Sequence, residues 1–160
     1  MSSSTVQAWL ERYSEQMKYC GRLEEHLDRL RTRAGSAGSS KLSGMPGSPN
    51  RATDTIGALL AQIEGVEQEL AEAVEESEQL RREIETGIKR ITGTRWPDLR
   101  AVLRFRYIQG MKWGDVNDAL YGAEVDFLDK EESYRHRVMM LHREALERLA
   151  AIMNEETEKS

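Results

Sequence analysis

Hydrophobic residues recur at steps of three and four along most of this chain. Val6, Trp9, Tyr13, Met17, Cys20, Leu23, Leu27 and Leu30 fall on one face of a helix predicted over 5–33. Gly21 lies inside that helix and weakens it by about 1 kcal/mol relative to alanine. A longer series follows: Ile56, Leu59, Ile63, Val66, Leu70, Ala73, Ser77, Leu80, Ile84, Gly87 and Ile91. Its alternating spacings form a heptad pattern and predict a helix over 55–92, N-capped by Thr53 or Asp54. At 1.5 Å per residue it is roughly 55 Å long. Such a stripe does not stay in water. It packs on the first helix, on the C-terminal helices or on a second copy of itself. Ser77 and Gly87 interrupt the stripe and mark its weak points.

The stretch "AGSAGSSKLSGMPGSPN" separates the two long helices. Glycine, serine and proline dominate it, so a linker is expected over 34–53. "TGTRWP" ends the second long helix and opens the next unit, with Pro97 suited to a first helical turn. Shorter helices are predicted over 98–108, 113–121 and about 133–154. "GAEVDFLDKEE", an acidic insertion at 122–132, separates the last two. The scheme is an N-terminal helix (1–33), the linker, a long helix (54–93), a C-terminal domain (94–154) and a frayed tail (155–160).

Composition narrows the class. The chain is 39% hydrophobic and 32% charged, has 3 prolines among 160 residues and shows no strand periodicity. An all-α fold is expected, built as a long helical hairpin or coiled coil followed by a helical C-terminal module. The net charge of −5 hides a split. Residues 54–87 hold ten acidic and two basic side chains; residues 95–149 hold ten of each. Without the acidic insertion, that second segment keeps nine basic and five acidic residues. A basic module beside an acidic helix points to an anionic partner for the module. The lone cysteine, Cys20, excludes an internal disulfide or a cysteine-based zinc site and reads as a small buried hydrophobe. No apolar run reaches the length of a membrane span, and no signal-peptide core precedes the first helix. A cytoplasmic protein is expected.

The local feature that carries chemistry is the break at Gln109-Gly110-Met111-Lys112. Gly110 suits the left-handed position that closes a helix. Before it, Leu99, Val102, Leu103 and Tyr107 face inward; after it, Trp113, Val116 and Leu120 do. Two short helices joined by a tight glycine turn, followed by a third, are the ingredients of a helix-turn-helix. A plain three-helix bundle with a solvated basic face has the same ingredients. On the third helix, Val138, Leu141, Ala145, Leu149 and Ile152 fall on the core side. Arg135, His136, Arg137, Met139, Met140 and Arg143 lie on or beside the other, and form the candidate contact set for base edges and phosphates. Arg104, Arg106 and Lys112 sit near the turn as candidate phosphate contacts.

"LRAVLRFRYIQGMKWGDVNDAL" followed by "SYRHRVMMLHREALERL" resembles sigma factor region 4. With "KLSGMPGSPN" ahead of the long helix, most of the chain resembles a family of phage- and prophage-encoded regulators related to the ArpU/RinA-type late transcription activators. That resemblance implies duplex-DNA binding by the third helix, regulation of phage genes, and RNA polymerase as a partner. It also places Arg135, His136, Arg137, Met139 and Met140 at positions facing DNA. The chain departs from the family where a short turn normally leads into the third helix: here the acidic insertion begins at Gly122.

No other constellation competes. His26, His136 and His142 do not share a face, so no metal site or other cofactor is expected. No phosphate-binding glycine loop of the P-loop type occurs, and the carboxylates of the long helix are spaced as a solvated face. No enzymatic activity is expected. Homodimerisation through the long helices would set two recognition helices in successive major grooves. The alternatives are a small terminase-like DNA-packaging subunit and a protein-binding adaptor that has lost DNA.

Overall fold

The computed structural model describes residues 1–40 and 49–159, with side chains for 1–36 and 55–159. Among the described residues the chain is all-helical and has no strand. Five α-helices follow one another: α1 (Ser3–Ser40), α2 (Pro49–Lys89), α3 (Trp96–Leu103), α4 (Trp113–Tyr121) and α5 (Glu131–Lys159). A wider turn of helix, Arg104–Ile108, continues α3. No helix among the described residues is long and apolar enough to cross a membrane.

Both long helices outrun the linker expected over 34–53. α1 continues to Ser40 and α2 begins at Pro49. Ala34 favours helix, and the two interior glycines, Gly35 and Gly38, cost about 1 kcal/mol each. Proline is tolerated in a first helical turn, where its missing N–H has no helical partner to lose. The remainder of that expected linker, 41–48, lies outside the described residues. The tail expected to fray over 155–160 is helical through Lys159. Its Glu156 pairs with Arg90, and Thr157 Oγ1 donates to the Met153 carbonyl over 3.0 Å. α5 begins at Glu131, two residues early, with Glu131 and Glu132 placed to meet the positive end of its helix dipole.

The chain divides into two compact units that do not follow the expected domain boundary at 93/94. One combines Met1–Glu15 with Glu78–Ser160; the other is Gln16–Ser77. In the first, Val6 and Leu10 from α1 and Ile84, Ile88 and Ile91 from the α2 end join Leu99, Val102, Leu103, Tyr107, Val116, Val138, Leu141, Ala145 and Leu149 in one core. Each fully buried Leu or Ile contributes about 2 kcal/mol relative to an exposed one. The C-terminal helices therefore share their core with both long helices. Gly87, expected to be a weak point, is a packing site. A β-carbon there would lie 2.8 Å from Cη2 of Trp9.

The second unit is an antiparallel pair. Gln16 Nε2 donates to the Ala73 carbonyl over 3.0 Å, and Arg31 meets Glu67 at 3.2 Å, so rising numbers in α1 run against falling numbers in α2. Cys20, Leu23 and Ala73 form its core, with Leu70 packed against them. Cys20 is 4% exposed and burial raises its thiol pKa, in keeping with a small hydrophobe. Ser77, the other interruption, is buried with its hydroxyl donated to the Val74 carbonyl at 2.6 Å. Because α1 serves two cores, its single predicted stripe is imperfect: Leu10, off the series, is fully buried, and Met17, on it, is 46% exposed.

Candidate nucleic-acid interface

The first two short helices end and begin where the sequence pattern puts them. Backbone N–H groups of Gln109 and Met111 donate to the carbonyls of Arg104 and Phe105, each at 2.9 Å. These long-reach bonds close the wide turn, and Gly110 follows with φ +68°. That left-handed backbone is strained for residues with a β-carbon, which is why glycine stands there. Lys112 is extended and precedes the first turn of α4. Val116 is fully buried, while Trp113 and Leu120 are partly buried against the core. Both α3 and α4 pack on α5.

The turn is tied to α5 by a buried polar pair. Tyr107 Oη lies 2.7 Å from His142 Nε2, and the edge of the Trp113 ring meets the His142 ring at a 4.7 Å centroid distance. Burial pushes the Tyr107 hydroxyl up to about 12. Burial, reinforced by the nearby Arg106 charge, pushes His142 down to about 4. His142 is therefore neutral at pH 7. Neither its burial nor its partner follows from the α5 pattern, in which 142 flanks the core positions 141, 145 and 149.

Arg104 and Arg106 are both engaged within the fold. Arg104 pairs with Glu85 at 3.4 Å. Arg106 donates through Nη1 to the Met111 carbonyl at 2.9 Å and lies 4.7 Å over the Trp113 ring. Its first duty is to brace the Gly110 turn, using one of its donors and one face of its guanidinium. Lys112 is exposed beside it.

On α5 the predicted set is brought together. Arg135, His136, Arg137, Met139, Met140 and Arg143 are all exposed, while Val138, Leu141, Ala145 and Leu149 are buried opposite them. Arg135 and Arg143 make loose pairs one helical turn away, with Glu131 at 3.9 Å and Glu147 at 3.4 Å. Exposed pairs of this kind are worth well under about 1 kcal/mol, so a stronger anion displaces them at little cost. Arg137 lies 5.0 Å over the Tyr134 ring, which fixes the start of its side chain.

The insertion at 122–132 folds back on α5. Phe127 is buried 6.1 Å from the Tyr134 ring, and Tyr134 stacks on Tyr121 at 5.0 Å. Tyr134 donates its hydroxyl to Asp126 Oδ1 at 2.5 Å, and that bond holds the Asp126 carboxyl below its usual range. Lys130 adds a 3.4 Å contact to the same carboxylate. Asn117, buried on α4, donates to the Glu131 carbonyl at 3.3 Å, where α5 starts. Val125 and Leu128 project into solvent from this anchored loop, with 104% and 87% exposure.

The junction before α3 is equally tied. Arg100 donates to the carbonyls of Ile91 and Lys89 at 2.9 and 2.6 Å, and Arg148 to those of Thr92 and Thr94 at 3.0 and 2.7 Å. Arg95 sits between them in the left-handed region at φ +62°, the single non-glycine residue there among those described. Sequence reasoning passed over Arg95 because it lies on no helix face. A signal was present: a lone cation inside the tight "TGTRWP" junction. Among the described residues no group of acidic, histidine or cysteine side chains is arranged to hold a metal ion. No family model matches the chain, and neither the curated proteins nor the solved structures contain a match.

Proposed function

We propose that this protein binds duplex DNA and regulates transcription, with α3, α4 and α5 acting as a sigma-region-4-like helix-turn-helix and α5 as its recognition helix. One observation carries the reading. The N-terminal half of α5 exposes three arginines, a histidine and two methionines on one ridge, while its opposite face is locked into the core. A helix held in that way presents its ridge to a major groove without first having to be ordered. Arg135, Arg137 and Arg143 supply charge to phosphates or guanine edges; Met139 and Met140 supply apolar contact to thymine methyl groups.

The test is DNA binding across a salt series. In the Arg135→Ala, Arg137→Ala double variant, affinity falls and the salt slope becomes shallower by about 0.9 for each phosphate that is no longer neutralised. An unchanged affinity with an unchanged slope overturns the assignment. The mass of the protein in solution separates a monomeric or dimeric regulator from a ring-forming packaging subunit.

A second reading is favoured by a specific observation. Val125 and Leu128 stand exposed in a loop whose other residues are mostly acidic. That combination suits a protein-binding adaptor in which the loop docks on a basic partner. Failure of the purified protein to retard any duplex at low salt favours this reading over the first.

A further inference from the structure

Arg95 has a conformation that an L-residue adopts only at a cost, and its surroundings hold it there. Non-glycine residues in left-handed backbone are strained, and such strain persists where neighbouring structure over-determines it. Here the neighbours are the two arginine clamps, Arg100 on the carbonyls of Lys89 and Ile91 and Arg148 on those of Thr92 and Thr94. Glycine already serves two residues earlier, where Gly93 has φ +92°. Position 95 instead carries an arginine whose side chain is 62% exposed and reaches across to Glu144 of α5 at 3.5 Å.

That reach puts the charge at a particular place on α5. At 100° per residue, Arg137, Leu141, Glu144 and Arg148 lie on one flank of the exposed ridge. Arg135, Met139 and His142 lie on the other. Arg95 stands against the first flank. It lines a groove of about 420 Å³ with Asp98, Tyr121, His136, Arg137 and Met140. It also lines a second, of about 320 Å³, with Met140, Arg143 and Glu147. Both Arg95 and Arg137 lie close enough to Tyr121 for their charges to oppose the rise in its pKa, whose largest cause is burial. The Gly110 turn, joined to α5 through Trp113 and His142, is on the second flank and brings exposed Lys112.

A major groove is bounded by two phosphate backbones, and a helix lying in it has one on each side. The α5 ridge has one cation-bearing turn on each side. We infer that Arg95 is a phosphate-binding residue, holding a backbone phosphodiester on the flank of α5 opposite Lys112. Arg137 and His136 complete that subsite from α5. Asp98, Glu144 and Glu147 are the counter-charges lining the same grooves, and the phosphate replaces Glu144 as the partner of Arg95. The inference rests on the DNA-binding reading and deepens it by assigning a contact that does not read bases.

The experiment compares the full chain with Arg95→Gly and Arg95→Lys on a fluorescently labelled duplex of mixed sequence, titrated over a salt series. Glycine removes the guanidinium and relieves the backbone, so folding is retained; the thermal melt of the free protein checks it. Lysine keeps the charge. Arg95→Gly makes the slope of log K against log salt shallower by about 0.9, one phosphate's worth, and Arg95→Lys restores most of it. The weakening is the same on duplexes of different sequence. A wild-type chain that binds duplex, beside an Arg95→Gly variant with the wild-type slope, overturns this inference alone. A wild-type chain that binds no duplex at low salt overturns both it and the reading beneath it.

Discussion

The two halves of α2 have the same periodicity and different burial. From Ile84 to Ile91 the apolar positions are sealed, with Ile84, Ile88 and Ile91 at 0–1% exposure. Between Ile56 and Leu70 the apolar positions of the same stripe are half-buried, and Leu60 beside them is 55% exposed. The sealed half is enclosed by side chains from four other helices. The half-buried one belongs to a two-helix unit. Periodicity therefore tells which face of a helix turns inward but not how dry it becomes, which varies along α2: Ala73 and Ser77, in the same two-helix unit, are buried.

The largest expected contrast comes from truncating the two cores. Leu103→Ala, in the core that all five helices share, costs about 3–4 kcal/mol, because its site is enclosed and cannot collapse. Ile63→Ala, on the half-buried stripe, costs about 1 kcal/mol, because part of that side chain is already in water. Urea unfolding of both variants checks the ratio; equal costs would mean the hairpin is as enclosed as the shared core.

Acid should test the shared core from a different direction. His142 has a folded pKa of about 4 against an ordinary 6.5. Between those values the unfolded chain binds the proton and the folded one does not, so stability falls as pH drops from about 6.5 to 4 and levels off below. The full shift corresponds to roughly 3 kcal/mol. Unfolding free energies measured across that window show the slope, and His142→Gln removes this residue's contribution to it. An equal slope in the variant would mean that other groups carry the acid sensitivity.

Glycine replacements sharpen the comparison most finely, since the sign changes between the halves of one helix. Gly87→Ala places a methyl group 2.8 Å from the Trp9 ring and destabilises by about 1–2 kcal/mol net. Gly65→Ala meets nothing within 4 Å and stabilises by about 0.5–1 kcal/mol through helix propensity. Thermal melts of the two variants move in opposite directions.

The same contrast explains what could be read from the sequence. The bounds of α4, the end of the helical run at Ile108 and the break at Gly110 were legible, because glycine and the apolar residues around it act locally. The exposure of Arg135, His136, Arg137, Met139, Met140 and Arg143 was legible too, because helix geometry alone fixes it. The pairing of Trp9 with Gly87 was not, since a 78-residue separation leaves no local trace. Nor were the engagements of Arg104 and Arg106, since an arginine near a turn looks alike whether it faces a carbonyl or a phosphate. The shared core escaped the domain scheme for a related reason. Val6 looks like a member of one long stripe, and Leu10 like a residue off it, until a second set of helices is there to receive them.

The wide turn at Arg104–Ile108 has a consequence for length. A helix forms such a turn when it carries one residue more than its ordinary hydrogen-bond ladder can use. Deleting one residue there lets the ladder close normally and leaves everything downstream in nearly its present phase, because the wide turn spends one residue more on a rotation that an ordinary helical turn also completes. In this stretch the helix absorbs a surplus residue locally, so its length can change by one without changing the angle at which α4 departs.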